Sequence, residues 1–326
     1  LKGALKQAVE RVAEPDPEPV VKVAKIDPPA PAPAAGPARL KPVAVFFEGG
    51  DPIEKEYLRW TVFDAKPDAE DNYAKVASWS STTPPNFKLA AGDYIVRVSL
   101  GSASAEATVK VGTGSEQRPV LNLNAGIYRP ALTYKEGGEA VTEYRRWTVY
   151  EAQADIEGNH RKVTGWSSTD APRFILHAGA YKIYASVDKA QVNSTVEISA
   201  GEIVKATLNL DAGVLKPTMT YREGGEAVTE YRRWSLYSEE TDIDGKRKNV
   251  ANWSSTTAPR FVLPAGRYLM IAQLDRSTAQ TEVEIVAGGA TMPTVNLDAG
   301  VLSPQPLVSS GGALSKAYLR WSVSRT

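Results

Sequence analysis

Along most of the chain, hydrophobic and polar positions alternate with a period of two. Tyr94, Val96, Val98 and Leu100 alternate with Ile95, Arg97 and Ser99; Tyr181, Ile183, Ala185 and Val187, and then Tyr268, Met270, Ala272 and Leu274, repeat the pattern. Successive side chains of a strand point to opposite faces, so each run predicts a strand with one buried face. A second strand follows across a short turn, with Ala105, Ala107, Val109 and Val111 inward against Glu106, Thr108 and Lys110. Further strands are predicted over 42–47, 58–63, 74–79, 86–90 and 118–124. About seven strands with Gly, Pro and Asp turns in so short a segment fit a small β-sandwich.

The exception is the start. Leu1–Glu14 places Leu5, Ala8, Val9 and Val12 at helical spacing, which predicts a short amphipathic helix that is marginal without a partner surface. Residues 15–39 are dense in Pro and Ala and read as an extended spacer, or as simple disorder at a terminus.

From Leu40 the sequence repeats every 87 residues. Trp60, Trp147, Trp234 and Trp321 keep that spacing, as do Trp79, Trp166 and Trp253, the phenylalanines Phe87, Phe174 and Phe261, and the glycines Gly92, Gly179 and Gly266. The twelve residues Glu136–Trp147 recur letter for letter as Glu223–Trp234. The predicted units are 40–126, 127–213 and 214–300, followed by a partial fourth copy, 301–326. They join without a linker, which predicts an elongated and fairly stiff array. Two strands cannot close a sandwich core. Tyr318 and Trp321 in the fourth copy are therefore candidates for docking on the third unit, for strand exchange with a neighbouring molecule, or for continuation of the array. A start at Leu1 without methionine is what a processed or partial chain would show.

Composition narrows the chemistry. The 326 residues exceed a usual single core. Lys plus Arg and Asp plus Glu both number 38, so no net charge recommends a nucleic-acid partner. The absence of cysteine excludes disulfides and thiolate catalysis, and two histidines cannot build a repeated triad or a His cluster. No phosphate loop, nucleophile elbow or H-E-x-x-H is present. No enzyme activity and no cofactor are expected.

Three sets of residues carry alternative readings. Trp60, Trp147 and Trp234 read as core, each indole N–H finding a partner, with an aromatic platform for a sugar ring as the alternative. Trp79, Trp166 and Trp253 precede Ser-rich turns and read either as packing under the loop or as platforms at a rim. Arg145–Arg146 and Arg232–Arg233 read as a solvated strand face, with a carboxylate site as the alternative. The acidic turns from Asp68, Asp155 and Asp242 read as hairpin turns. Asp242, Asp244 and Gly245 resemble the opening of a calcium loop, but mostly basic residues follow. Asn193 begins a glycosylation triplet.

The phrase F-x-L-x-A-G-x-Y recurs at Phe87–Tyr94, Phe174–Tyr181 and Phe261–Tyr268. It resembles the C-terminal half of carboxypeptidase-regulatory-like, prealbumin-like bacterial β-sandwich domains and covers about a third of each unit. The first halves depart from that pattern. The resemblance implies that Phe87, Leu89, Gly92, Tyr94 and their counterparts are core and turn residues, and it implies no catalytic residue. It also implies a bacterial periplasmic or cell-surface location. The expectation is a non-enzymatic stalk, spacer or scaffold with protein partners or self-association. The alternative is a multivalent array that binds cell-wall or surface polysaccharide.

Overall fold

A computed structural model describes residues 38–305 and 322–323. The expected helix over 1–14, most of the spacer, and Tyr318 and Trp321 lie outside the described residues. The rest is all-β: three β-sandwiches follow one another, each with a four-stranded antiparallel sheet packed on a smaller mixed one.

In the second unit the large sheet has the order His160–Ser168, Arg145–Ala154, Gly179–Val187, Ala190–Ile198. Its facing sheet sets Phe174–His177 antiparallel and Ile203–Asn209 parallel to the central strand Ala125–Thr133. A parallel pair needs a long crossover, and here the whole large sheet forms that crossover. The first unit repeats the large sheet with Tyr73–Ser81, Leu58–Pro67, Gly92–Leu100 and Ala103–Val111. The third does so with Arg247–Ser255, Arg232–Thr241, Gly266–Leu274 and Ser277–Ile285. The first strand of the first unit, Ala38–Leu40, begins two residues before the expected start.

Proline position explains the one difference between the small sheets. In the first unit the parallel ladder breaks into Ala38–Leu40 with Glu116–Gln117 and Val43–Val45 with Val120–Asn122. Pro42 and Pro119 fill the gap opposite each other, and Pro217 and Pro293 do so in the third unit. Proline has no amide hydrogen, so two facing prolines remove both donors. In the second unit Pro130 faces Ala206, and the ladder runs unbroken from Ile127 to Asn209.

The period-two pattern holds where it was expected. Tyr94, Val96, Val98 and Leu100 are all buried, and Ala105 and Ala107 are half-buried beside buried Val109 and Val111. Each sandwich holds its own apolar cluster around Trp60, Trp147 or Trp234. Burial of one such large side chain contributes roughly 1.5–3 kcal/mol. Phe87, Phe174 and Phe261 lie in or against these cores. The repeated glycines do not: Gly179 and Gly266 are exposed at strand starts with φ of 149° and 145°, and a Cβ on either would meet nothing. Their role is conformational. Gly92 has no such φ.

Candidate functional site

The two tryptophan series are one feature. Trp60 pairs directly with Trp79, Trp147 with Trp166 and Trp234 with Trp253 across the first hairpin of each large sheet. Residues directly opposite in an antiparallel pair share a face, so both indoles point toward the other sheet. The first member is on the inner strand and 1% exposed. The second is on the edge strand, where Trp79 and Trp166 remain 42% and 40% exposed. Trp79 donates its indole N–H to the Thr83 carbonyl (3.0 Å), which ties it to the Ser-rich turn. Trp253 is partly buried against the third core. Trp253 thus borders the third core, while Trp79 and Trp166 keep a large part of their rings in solvent.

One expectation fails. The indole N–H groups of Trp60, Trp147 and Trp234 are buried without an acceptor among the described residues, where a partner was expected. The same arrangement recurs in all three units.

The arginine pairs also differ from the expected solvated face. Adjacent strand residues point to opposite sides, so Arg145 and Arg232 are buried while Arg146 and Arg233 are exposed. Arg145 donates from one guanidinium nitrogen to the carbonyls of Glu143 (3.0 Å) and Thr169 (2.9 Å). Arg232 donates to those of Glu230 (3.0 Å), Thr256 (3.0 Å) and Thr257 (3.2 Å). Each clamps the loop after the edge strand to the loop before the inner one. No two-arginine fork faces solvent, and Leu58 fills the equivalent buried place in the first unit.

The acidic segments are hairpin turns. One carboxylate oxygen of Asp155 accepts the amides of Glu157 (2.9 Å) and Asn159 (2.8 Å), and Asp68 and Asp242 accept their equivalents. These amide donors, with Asn159 first, hold the Asp155 carboxyl below the usual aspartate range, and the amides of Asn72 and Glu70 do the same for Asp68. Among the described residues no group of three or more His, Cys, Asp or Glu could hold a metal ion. Asn193 is exposed on an edge strand rather than in a loop.

The most elaborate chemistry lies between units, and the residue patterns singled out in sequence missed it. At the first junction the amide of Ser102 donates to the Ile175 carbonyl (3.1 Å) and that of Ala178 to the Asn124 carbonyl (2.7 Å), while the bond from Gly201 to Ala125 (2.8 Å) extends the second unit's own small sheet. At the second, Lys189 donates to Val262 (3.2 Å) and Ala265 to Asp211 (2.7 Å), while the bond from Gly288 to Ala212 (2.8 Å) lies within the third unit. Ile175 inserts into the core of the first unit and Val262 into that of the second. Arg173 binds Glu56 through two nitrogens, at 2.7 and 3.3 Å, and Arg260 reaches Glu143 at 2.5 Å. His177 is spent on the first junction: Nε2 accepts the Ser104 amide (3.2 Å), which leaves Nδ1 to donate to the Leu123 carbonyl (3.0 Å).

No family model and no curated protein matches the chain. Among solved structures it is similar to the Bacillus anthracis TIE protein, at 16% identity and TM-score 0.24 over 80% of this chain and 50% of that one. The chain therefore spans half the length of that protein. It is also similar to GBS52, a minor pilin of Streptococcus agalactiae, at 13% identity and TM-score 0.30 over 57% of this chain and 99% of that one. A third is a putative adhesin from Bacteroides thetaiotaomicron, at 12% identity and TM-score 0.30 over 62% and 96%. Likenesses at this level transfer no function.

Proposed function

We propose that the chain is a non-enzymatic structural element of the bacterial cell surface: a stiff spacer that fixes the distance between whatever its two ends hold. The observation that carries this reading is the repetition of the junction. The same two backbone hydrogen bonds, the same aliphatic insertion and the same Arg–Glu pair occur twice at one sequence interval. Flexible linkers would permit tandem domains to swing; a hydrogen-bonded junction with a buried aliphatic insertion holds one angle. The surface location rests on the resemblance of the F-x-L-x-A-G-x-Y stretches to envelope β-sandwich modules.

Stiffness is directly measurable. The chain has no cysteine, so K110C and E284C, at equivalent exposed positions two units apart, accept spin labels without background. A single narrow distance distribution is expected from pulsed electron resonance. A broad distribution, as from beads on a string, would remove the spacer reading.

A second reading, an array that binds surface polysaccharide, is supported by the half-exposed rims of Trp79 and Trp166. It requires a saturable fluorescence change on titration with cell-wall polysaccharide that disappears in W79A/W166A.

A further inference from the structure

Each unit presents an exit face to the unit that follows. In the first, the face comprises Glu56, the Ser102 amide and the Asn124 carbonyl; in the second, Glu143, the Lys189 amide and the Asp211 carbonyl. The third unit has the same face in the same shape. Asp275 and Asp298 hold φ of 50° and 48°, as Asp188 and Asp211 hold 49° and 48°. The Asp298 amide donates to Asn296 Oδ1 (3.2 Å) as the Asp211 amide does to Asn209 Oδ1 (3.1 Å). Glu230 is already oriented by the Tyr221 hydroxyl (3.0 Å), on the side where Glu143 meets Arg260 in the second unit. A groove of about 930 Å³ lies there between Glu230 and Asp275 of the third unit and Val301, Leu302, Pro304 and Val323 of the chain that leaves it.

The chain leaving this face begins a further copy in phase. Val301 and Leu302 are 73% and 70% exposed, whereas their counterparts Val214 and Leu215 are half-buried and fully buried. Among the described residues no strand covers them as Phe261–Pro264 and Ala290–Thr291 flank Val214 and Leu215.

The opposite end differs. Where the second and third units dock through Arg173 with Ile175 and Arg260 with Val262, the first unit has Asn86 and Lys88, both exposed. Asparagine cannot fork a carboxylate, and a lysine in the aliphatic slot would bury an unpaired ammonium.

We propose that the exit face of the third unit is a docking surface for one further β-sandwich unit of this same repeat, entered at Val301 and presenting an Arg–Phe–aliphatic edge. A second copy of this chain approaching with its first unit does not fit. The array has a direction: its exit face accepts a repeat, and its entry face is not built to dock onto one. This goes beyond the spacer reading, whose stiffness measurement concerns only the two existing junctions.

The test extends the chain after Gly300 with a copy of residues 127–213, and separately with that copy bearing Asn and Lys in place of the Arg and Ile that correspond to Arg173 and Ile175. The readout is hydrogen exchange at the Arg276 amide, the counterpart of Lys189. Slowing of about tenfold or more is expected with the native copy, and none with the substituted one. Equal exchange in the two chains overturns the proposal. If the appended copy shows no protection in its own strands, the face is read instead from N86R/K88I in the unextended chain, at two exposed positions. That variant is expected to associate head to tail in sedimentation equilibrium and to lose the association with E230K. A monomer at all concentrations, or association indifferent to E230K, overturns the proposal.

Discussion

Arg173 of the second unit closes on Glu56 of the first, and Arg260 repeats the contact on Glu143 at the same sequence separation. A surface ion pair alone contributes little. This one is about 30% exposed on both partners and bidentate, and it spans two units already joined by backbone hydrogen bonds and by the buried Ile175. Its expected role is to hold the angle of a junction that burial makes stable. R173A and E56A should each lower stability modestly, with a coupling of about 1 kcal/mol in a double-mutant cycle. A coupling of zero, with the spin-label distribution unchanged, would leave the pair without a structural part.

Ile175 gives a sharper expectation because it folds with one unit and packs in another. Truncating a buried isoleucine to alanine costs about 2–5 kcal/mol, the range depending on how far the site collapses. In I175A that cost should appear in the first unit's hydrogen exchange as well as the second's, and the two units should melt separately. A loss confined to the second unit would show that the insertion does not couple them.

Much of this was legible in the sequence, and the gaps have physical reasons. The strands are where alternation placed them because a half-buried strand must alternate. Trp60 and Trp79 were legible as two series but not as a pair, since register emerges only when strands align. The split of the parallel ladder likewise needs Pro42 set against Pro119. Arg145 was misread because charge argues for solvent, and only the carbonyls of Glu143 and Thr169 make a buried guanidinium tolerable. The change from Lys88 to Ile175 and Val262 was visible at the repeat interval. It carries meaning only once the slot in the preceding unit is known.

The buried arginines separate a structural from a ligand-binding role. The first unit already holds Leu58 where the second holds Arg145. R145K is expected to be the worse substitution, since an ammonium on a shorter stem falls short of the Glu143 and Thr169 carbonyls and remains buried, at a cost of about 1–3 kcal/mol. R145L should lose less, because an apolar side chain demands no partner, although two loop carbonyls lose a donor. Urea unfolding of the two variants decides the order. If R145L is the more damaged, the loop clamp outweighs the burden of a buried charge.

Alkaline pH should act through Tyr128. Its ring is fully buried and stacks on Phe174 at 6.3 Å, and burial pushes the phenol up to about 12 from the ordinary 10.0. The sign follows from which state ionises first. Below pH 10 both states hold the proton and the group leaves stability unchanged with pH. Between 10 and about 12 the unfolded chain loses the proton while the folded one keeps it, so folding stability falls as pH rises. Two pH units correspond to about 3 kcal/mol at most. Tyr181 and Tyr268 are raised in the same direction by burial, so the decline has several contributors. Y128F should therefore reduce the slope of unfolding free energy against pH in this window without abolishing it, and should leave the curve below pH 10 parallel to that of the parent. Identical slopes in parent and variant would mean that Tyr128 ionises as readily folded as unfolded.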